Sequence, residues 1–150
     1  MTSEISLPRI TVAAIVPDGE RYLLVEERSD GQTVLNQPAG HLDPDESLID
    51  AVIRETLEES AWDVEPVGLI GIYQLFLPHA HYVRMAFLCR PLQHHPERAL
   101  DTGILRTHWM TRAELASGAT AHRSPLVLRC IDDHAKGRLW PLEQIVEPFR

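Results

Sequence analysis

The stretch from Glu46 to Ala61 sets Glu55, Glu58 and Glu59 beside Arg54 on what its spacing predicts to be one helix. Successive helical residues turn by about 100°, so the three glutamates share an arc of about 100°. Like charges at that spacing repel and weaken a helix. The segment therefore needs an anchor, and Ile49, Ile53 and Leu57 supply an apolar stripe on the opposite side. A stripe of that kind holds a helix against a sheet. For the helix start, Asp43, Pro44 and Glu46 fit N-cap, N1 and N3, with Asp45 an equal alternative as cap.

The rest of the chain offers that sheet. "RITVAAIV" (Arg9 to Val16) and "RYLLVEE" (Arg21 to Glu27) are strand-like runs around the turn signal Pro17 to Glu20, which predicts a hairpin. A turn at Ser29 to Gln32 leads to a short strand, Thr33 to Leu35. Beyond the acidic helix, Val67 to Leu77 and His81 to Arg90 read as two strands around Pro78 to Ala80, and Ile104 to Met110 as another after a polar loop at His94 to Gly103. Thr111 with Glu114 forms a capping box for a short helix to Ser117. Ser124 and Pro125 open a last helix to about Lys136, stopped by Gly137. Strands interleaved with two substantial helices predict an α/β or α+β sandwich, a single domain over residues 1–150 with no repeat or linker.

Charge narrows the partners. A net charge of −8 argues against duplex nucleic acid, whose binding is driven by cations that release counterions. Met1 to Pro8 has no basic region leading into a long apolar run, and "VAAIV" (Val12 to Val16) is too short to span a bilayer, so a cytoplasmic chain without membrane contact is expected. Cys89 and Cys130 lack metal-ligand spacing and read as reduced thiols near the core. Trp62, Trp109 and Trp140 read as packing residues. His79, His81, His94 and His95 read as members of solvated loops. No Ser-His-Asp constellation can be assembled.

The glutamate cluster has two readings: a solvated acidic face, or a cation site. Two features favour the cation. An arginine fork from Arg54 can hold one pair of carboxylate oxygens and leave others free, and the "PAG" turn before the helix lets a carbonyl approach a ligand closely. Mg²⁺ takes hard oxygen ligands from carboxylates, waters and substrate phosphates, and its binding would relieve the repulsion.

These residues resemble the Nudix hydrolases, whose box runs Gly, five residues, Glu, seven residues, Arg-Glu, an apolar residue, any residue, Glu-Glu, any residue, Gly and an apolar residue. Gly40, Glu46, Arg54, Glu55, Glu58 and Glu59 fill its Gly, Glu and Arg positions up to the Glu pair. Thr56 stands at an apolar position. Ala61 stands at the last glycine, which predicts a turn that has no need of a left-handed residue. "NQPAGHL" (Asn36 to Leu42), "RSPLV" (Arg123 to Val127) and "WPLEQI" (Trp140 to Ile145) look like the NudJ-type phosphatase branch, a similarity covering about Pro8 to Val146. Leu35 replaces the aromatic residue that many members carry there.

The resemblance implies an α/β/α Nudix sandwich with a mixed sheet and Mg²⁺-dependent hydrolysis of phosphoanhydrides, with Mn²⁺ able to substitute. In that branch the substrates are nucleoside tri- and diphosphates and thiamine-related diphosphates. Carried over, Glu55, Glu58 and Glu59 are metal ligands, Arg54 their orienting partner, the Ala39 carbonyl an added ligand, and Glu58 or Glu59 the base for water. Asp101 and Glu97 are the candidates for a distal carboxylate. Arg84 reaches a phosphate or is an exposed or ion-paired strand arginine, and Gln37 binds substrate or bonds the sheet edge. Hydrolysis of ADP-ribose, nucleotide sugars or dinucleoside polyphosphates is the alternative activity, and a non-catalytic nucleotide-binding domain the alternative class.

Overall fold

The computed structural model describes residues 7–150, so the reading of the opening segment lies, for residues 1–6, outside the described residues. In chain order the strands and helices are β1 (Arg9–Ile15), β2 (Pro17–Asp18), β3 (Arg21–Ser29), β4 (Gln32–Asn36), β5 (Ala39–His41), α1 (Leu48–Ser60), β6 (Trp62–Leu77), β7 (Ala80–His94), β8 (Ile104–Thr111), α2 (Arg112–Ala116), β9 (Ala121–His122), α3 (Leu126–Ala135) and β10 (Trp140–Pro141). One sheet runs β10-β6-β7-β1-β5. It is mixed, because β1 lies parallel to β7 and antiparallel to β5. The second runs β2-β3-β4-β9, with β8 also paired to β3.

β1 explains the layering. Its apolar run is buried on both faces, the signature of a strand covered on two sides. Val12 and Ala14, followed by Val16, pack with Ala51 and Val52 of α1. Ile15 packs with Val127, Cys130 and Ile131 of α3. A helix therefore covers each face of the mixed sheet, the α/β/α arrangement.

The same burial corrects the first hairpin. β1 does not pair along its length with β3; it takes β5 and β7 as neighbours, and the chain crosses to the second sheet at Val16. Only Pro17 and Asp18 pair back with Tyr22 and Arg21, and Leu23 N–H donates to the Val16 carbonyl at 3.0 Å. The next turn behaves as expected: Asp30 (φ 51°) and Gly31 (φ 77°) form a two-residue hairpin link between β3 and β4.

Helix α1 differs from expectation in three places. Its cap is Ser47, whose Oγ accepts from Asp50 N–H at 3.0 Å, while Asp43 and Glu46 close a turn ahead of the helix and Asp45 sits at φ 60°. Glu46 is drawn out of the helix start by Arg54, which grips it in a fork. The buried face is Ala51, Val52, Thr56 and Ser60 together with Glu55, whereas Ile53 and Leu57 are half-buried; Ile49 does pack against the core. The Thr56 and Ser60 hydroxyls donate to the Val52 and Thr56 carbonyls at 2.7 and 2.6 Å, so their burial leaves no orphaned hydroxyl. Finally, Ala61 is left-handed at φ 61°, its N–H bonded to the Leu57 carbonyl. The chain keeps the glycine geometry without the glycine.

Further along, β6 and β7 form a hairpin longer than the two strands read from sequence. Thr111 caps α2 through the Glu114 N–H, and Ser124 Oγ accepts from Leu126 N–H ahead of α3, with Gly137 at φ 77° beyond it. Both cysteines are free and buried. Trp62 and Trp109 pack edge to face against the core, but Trp140 is 61 % exposed. His94 is exposed, as read from sequence, and stacks on Trp62, whereas His95 is half-buried and bonds Asp63, so His95 is a structural residue rather than a solvated one. Among the described residues no helix is long and apolar enough to cross a membrane.

Ala61 yields a stability test. Removing its Cβ relieves a left-handed strain of about 1 kcal/mol and forfeits a buried methyl of about 0.8 kcal/mol. Ala61→Gly should therefore change the free energy of unfolding in urea by less than about 0.5 kcal/mol. Ala61→Val, which puts a β-branched residue at positive φ, should cost about 2 kcal/mol or more.

Candidate active site

The site is organised by Arg54. Its Nε and Nη2 donate to the two Glu46 oxygens at 2.6 and 2.9 Å, Nη1 donates to Glu55 Oε1 at 2.8 Å and Glu58 Oε2 at 3.1 Å, and Nη2 also reaches the His41 carbonyl at 3.1 Å. The fork is spent on Glu46. Glu55 and Glu58 each receive a single bond from one nitrogen, which leaves their other oxygens free. The bonds to Glu46 and then Glu55, against the opposing pull of burial, hold the guanidinium still more firmly protonated than usual.

Glu55 lies on the buried side of α1 against the backbone of β5. A Cβ built at Gly40 would overlap the Glu55 carboxyl carbon and both its oxygens. Gly40 is therefore required for the carboxylate to lie where it does, although its own φ is not positive. Burial pushes the Glu55 carboxyl up; Arg54 opposes this, and Glu58 and Asp101 add to it.

Glu59 is oriented differently, accepting the Ala39 N–H at 2.9 Å. Burial pushes its carboxyl up to about 8, with the Ala39 bond opposing and Glu27, Glu55 and Asp101 adding. Ala39 thus sits at the site edge.

Of the two distal candidates the loop brings in one. Asp101 N–H donates to the Glu58 carbonyl at 3.0 Å, and one carboxylate oxygen from each of Glu55, Glu58 and Asp101 lies within 4.8 Å of the other two. Glu97 stays outside, exposed and 3.7 Å from His95. The converging donor set is all carboxylate oxygen, the chemistry that suits a hard divalent cation rather than a soft one.

A family model for the NUDIX domain matches residues 7–130. The chain belongs to the Nudix family. It is 34 % identical to phosphatase NudJ of Escherichia coli (strain K12) over 139 residues, covering 92 % of this chain and 90 % of that protein. A NUDIX hydrolase from Nitrosomonas europaea superposes with a TM-score of 0.91 at 41 % identity, covering 95 % of this chain and 98 % of that one. The NUDIX domain of Shewanella oneidensis NrtR, in a complex with ADP ribose, shares the fold at a TM-score of 0.69 and 17 % identity over 89 % of this chain and 90 % of that one.

The protein is a Nudix phosphoanhydride hydrolase, an enzyme class that acts on small phosphorylated substrates and generally needs a divalent metal. Its Nudix helix is α1, and the acidic cluster stands on that helix and the loop facing it. Arg84 of β7 and Gln37, ahead of β5, meet each other and are not part of the carboxylate cluster. Arg84 donates to Gln37 Oε1 at 2.9 Å and Asn36 Oδ1 at 3.0 Å, and Gln37 Nε2 donates to the Val127 carbonyl at 2.7 Å. All three side chains are buried, so Arg84 is a buried cation held by amides rather than carboxylates. Gln37 bonds α3, not the sheet edge. The residue missed from sequence is Glu27 of β3, which accepts from Arg123 at 3.0 Å and Asn36 at 3.4 Å and raises the proton affinity of Glu59. Nothing in a strand reading "VEE" marks it, because it meets the Nudix helix only through the packing of two sheets.

Two outcomes follow from this geometry. Gly40→Ala collides with the end of a flexible side chain, so it should leave the melting temperature nearly unchanged while Glu55 swings away. Phosphate release should fall about 10²-fold or more, roughly 2.7 kcal/mol of barrier. The raised Glu59 carboxyl makes metal-free stability pH-dependent. Its contribution is fully present below the unfolded value of 4.5 and is lost as pH rises through about 8. Melts in chelator should therefore fall across that window, and Glu59→Gln should flatten the slope.

Proposed function

We propose that this enzyme hydrolyses nucleoside tri- and diphosphates, and thiamine-related diphosphates, with Mg²⁺ or Mn²⁺. The observation that carries the reading is the convergence of Glu55, Glu58 and Asp101 oxygens beside an arginine that is itself committed to Glu46. The choice of substrates rests on the similarity to phosphatase NudJ. When bound, a divalent cation offsets phosphate charge and makes water more acidic. Glu55, Glu58 and Asp101 would hold it, with Glu59 and the Ala39 carbonyl completing the oxygen set.

The remaining work belongs to the chain's own residues. Arg54 keeps Glu55 and Glu58 at fixed stations while leaving oxygens unengaged. Glu58 and Glu59 are the two candidates to take a proton from water. Arg84, carried between Asn36 and Gln37, is a positive donor that a substrate oxygen can approach by displacing an amide. It therefore acts in substrate binding together with Gln37.

A panel of nucleoside tri- and diphosphates, thiamine diphosphate, ADP-ribose, nucleotide sugars and dinucleoside polyphosphates, scored by product and kcat/KM, tests the reading. The first two classes and thiamine diphosphate should lead, and preferred turnover of ADP-ribose or sugars would overturn the substrate choice. Chelation should abolish turnover. Glu58→Gln should lower kcat about 10²-fold or more, a loss of roughly 2.7 kcal/mol, while Arg84→Gln should act mainly on KM. Wild-type kcat in a folded Glu58→Gln enzyme would remove Glu58 from the machinery.

A further inference from the structure

β6 is the longest strand of the mixed sheet, and β10 covers only part of its outer side. β10 pairs with Gly68 and Leu69, and among the described residues no strand pairs with that side from Ile70 to Leu77. An unpaired edge invites another strand, and proteins usually guard it with shortness, charge or proline. β5, at the opposite end of the same sheet, is three residues long. β6 lacks every such guard: from Val67 to Leu77, "VGLIGIYQLFL", it carries neither charge nor proline.

The hairpin fixes what this edge offers. Pro78 and His79 form a two-residue link, so β6 and β7 close at the Leu77–Ala80 pair. Bonded and non-bonded pairs alternate along an antiparallel ladder. Leu77, Leu75 and Tyr73 therefore turn their N–H and C=O groups to β7, whereas Phe76, Gln74 and Ile72 turn theirs outward. The side chains of these three outward residues share one face of the sheet, and all are exposed, Ile72 by 60 % and Phe76 by 71 %. Beside Ile70 to Tyr73, toward α3, an open cavity of about 490 Å³ leaves room along the edge.

We propose that this edge is the docking surface for a second copy of the chain, whose β6 adds antiparallel to this one about a two-fold axis through Gln74. A two-fold perpendicular to a sheet keeps each face on its own side, so opposed residues must point the same way and the axis must pass through a residue. Gln74 is the midpoint of Gly71 to Leu77, so each copy uses its whole free edge and each hairpin turn stops where the other's β10 begins. That register sets Gln74 against its own counterpart and Ile72 against Phe76 of the second copy, twice over, covering two exposed apolar side chains per copy. An axis through Tyr73 or Leu75 would set Gln74 against Ile72 or Phe76 and lose the apolar pair. On the face toward α3, Leu77 of the second copy comes opposite Gly71, beside the cavity, where β6 itself has no side chain. The two five-stranded sheets become one, and the carboxylates against β5 lie at its outer ends. The contact requires no substrate and no metal, so it stands independently of the proposed turnover.

Sedimentation equilibrium of the full chain over a range of concentrations, with amide hydrogen exchange measured at each, tests the surface. A dimer should form, and exchange at Ile72, Gln74 and Phe76 should slow as its population rises. Gln74→Pro removes an outward N–H that β7 does not use, a change an edge strand tolerates, and Phe76→Lys supplies the missing charge at an exposed position. Each should weaken dimerisation about 10-fold or more while the dilute protein keeps its melting temperature. Ile72→Lys and Phe76→Glu should each weaken self-association and should pair with each other when mixed, because the axis sets position 72 against position 76. A monomer at every concentration overturns the proposal, whether these amides exchange fast or are protected from within the chain. A dimer that survives both Gln74→Pro and Phe76→Lys, or an assembly that grows beyond two copies, overturns the edge as its seat. A mixture of Ile72→Lys and Phe76→Glu that gains no heterodimer overturns the register.

Discussion

Crowded carboxylates on a helix are unstable unless a cation stands among them, and in this protein the first such cation is Arg54. Its fork closes on Glu46, a residue outside the helix, so the guanidinium is fixed from the far side. Its remaining donor atom then reaches both Glu55 and Glu58. Had the fork closed on Glu55 or Glu58, both oxygens of that group would be engaged. The division of labour lets one arginine stabilise the helix without neutralising the face that the helix presents.

The sheet serves this arrangement. β1 is buried on both faces and fixes where α1 and α3 lie, and β5, its antiparallel neighbour, delivers Gly40 beneath Glu55 and the Ala39 N–H to Glu59. The backbone of β5 thus receives two carboxylates from the Nudix helix. Bulk at residue 40 is excluded by a side chain from a different element, a constraint that no local conformational preference at that glycine expresses.

The chain's periodicity exposes most of the elements, because strand and helix spacing are local properties. The acidic helix, the Asp30–Gly31 turn and the Thr111 cap are readable from neighbouring residues, and α3 starts one residue later than the Ser124–Pro125 signal places it, with Pro125 itself at the cap position. The failures share a cause in longer-range packing. The hairpin of β1 with β3 fails because burial on two faces assigns β1 other partners. The cap at Asp43 fails because Arg54, eight positions on from Glu46, competes for that glutamate. Ile53 and Leu57 are less buried than Ala51 and Thr56 because the sheet approaches α1 closely enough to favour small residues. At the site, Gly40, Arg54 and the glutamates are visible as a spaced pattern, whereas Glu27 and the choice of Asp101 over Glu97 depend on how a second sheet and a loop fold back.

That loop is measured from the helix it serves. His95 N–H is tied to the Ala61 carbonyl, Asp101 N–H to the Glu58 carbonyl, and the Gly103 carbonyl to Arg28 N–H. The segment is a detachable bracket with three bolts, two of them on the last turn of α1 and the residue after it. Its outer residues, including Glu97, are free to change identity without moving the fourth carboxylate. A change of length between the bolts would carry Asp101 away from the helix by a full residue step. For a designer, the loop is a cassette: its sequence between fixed attachment points can be exchanged to set how many carboxylates converge on the face of α1, while the helix and both sheets remain as they are.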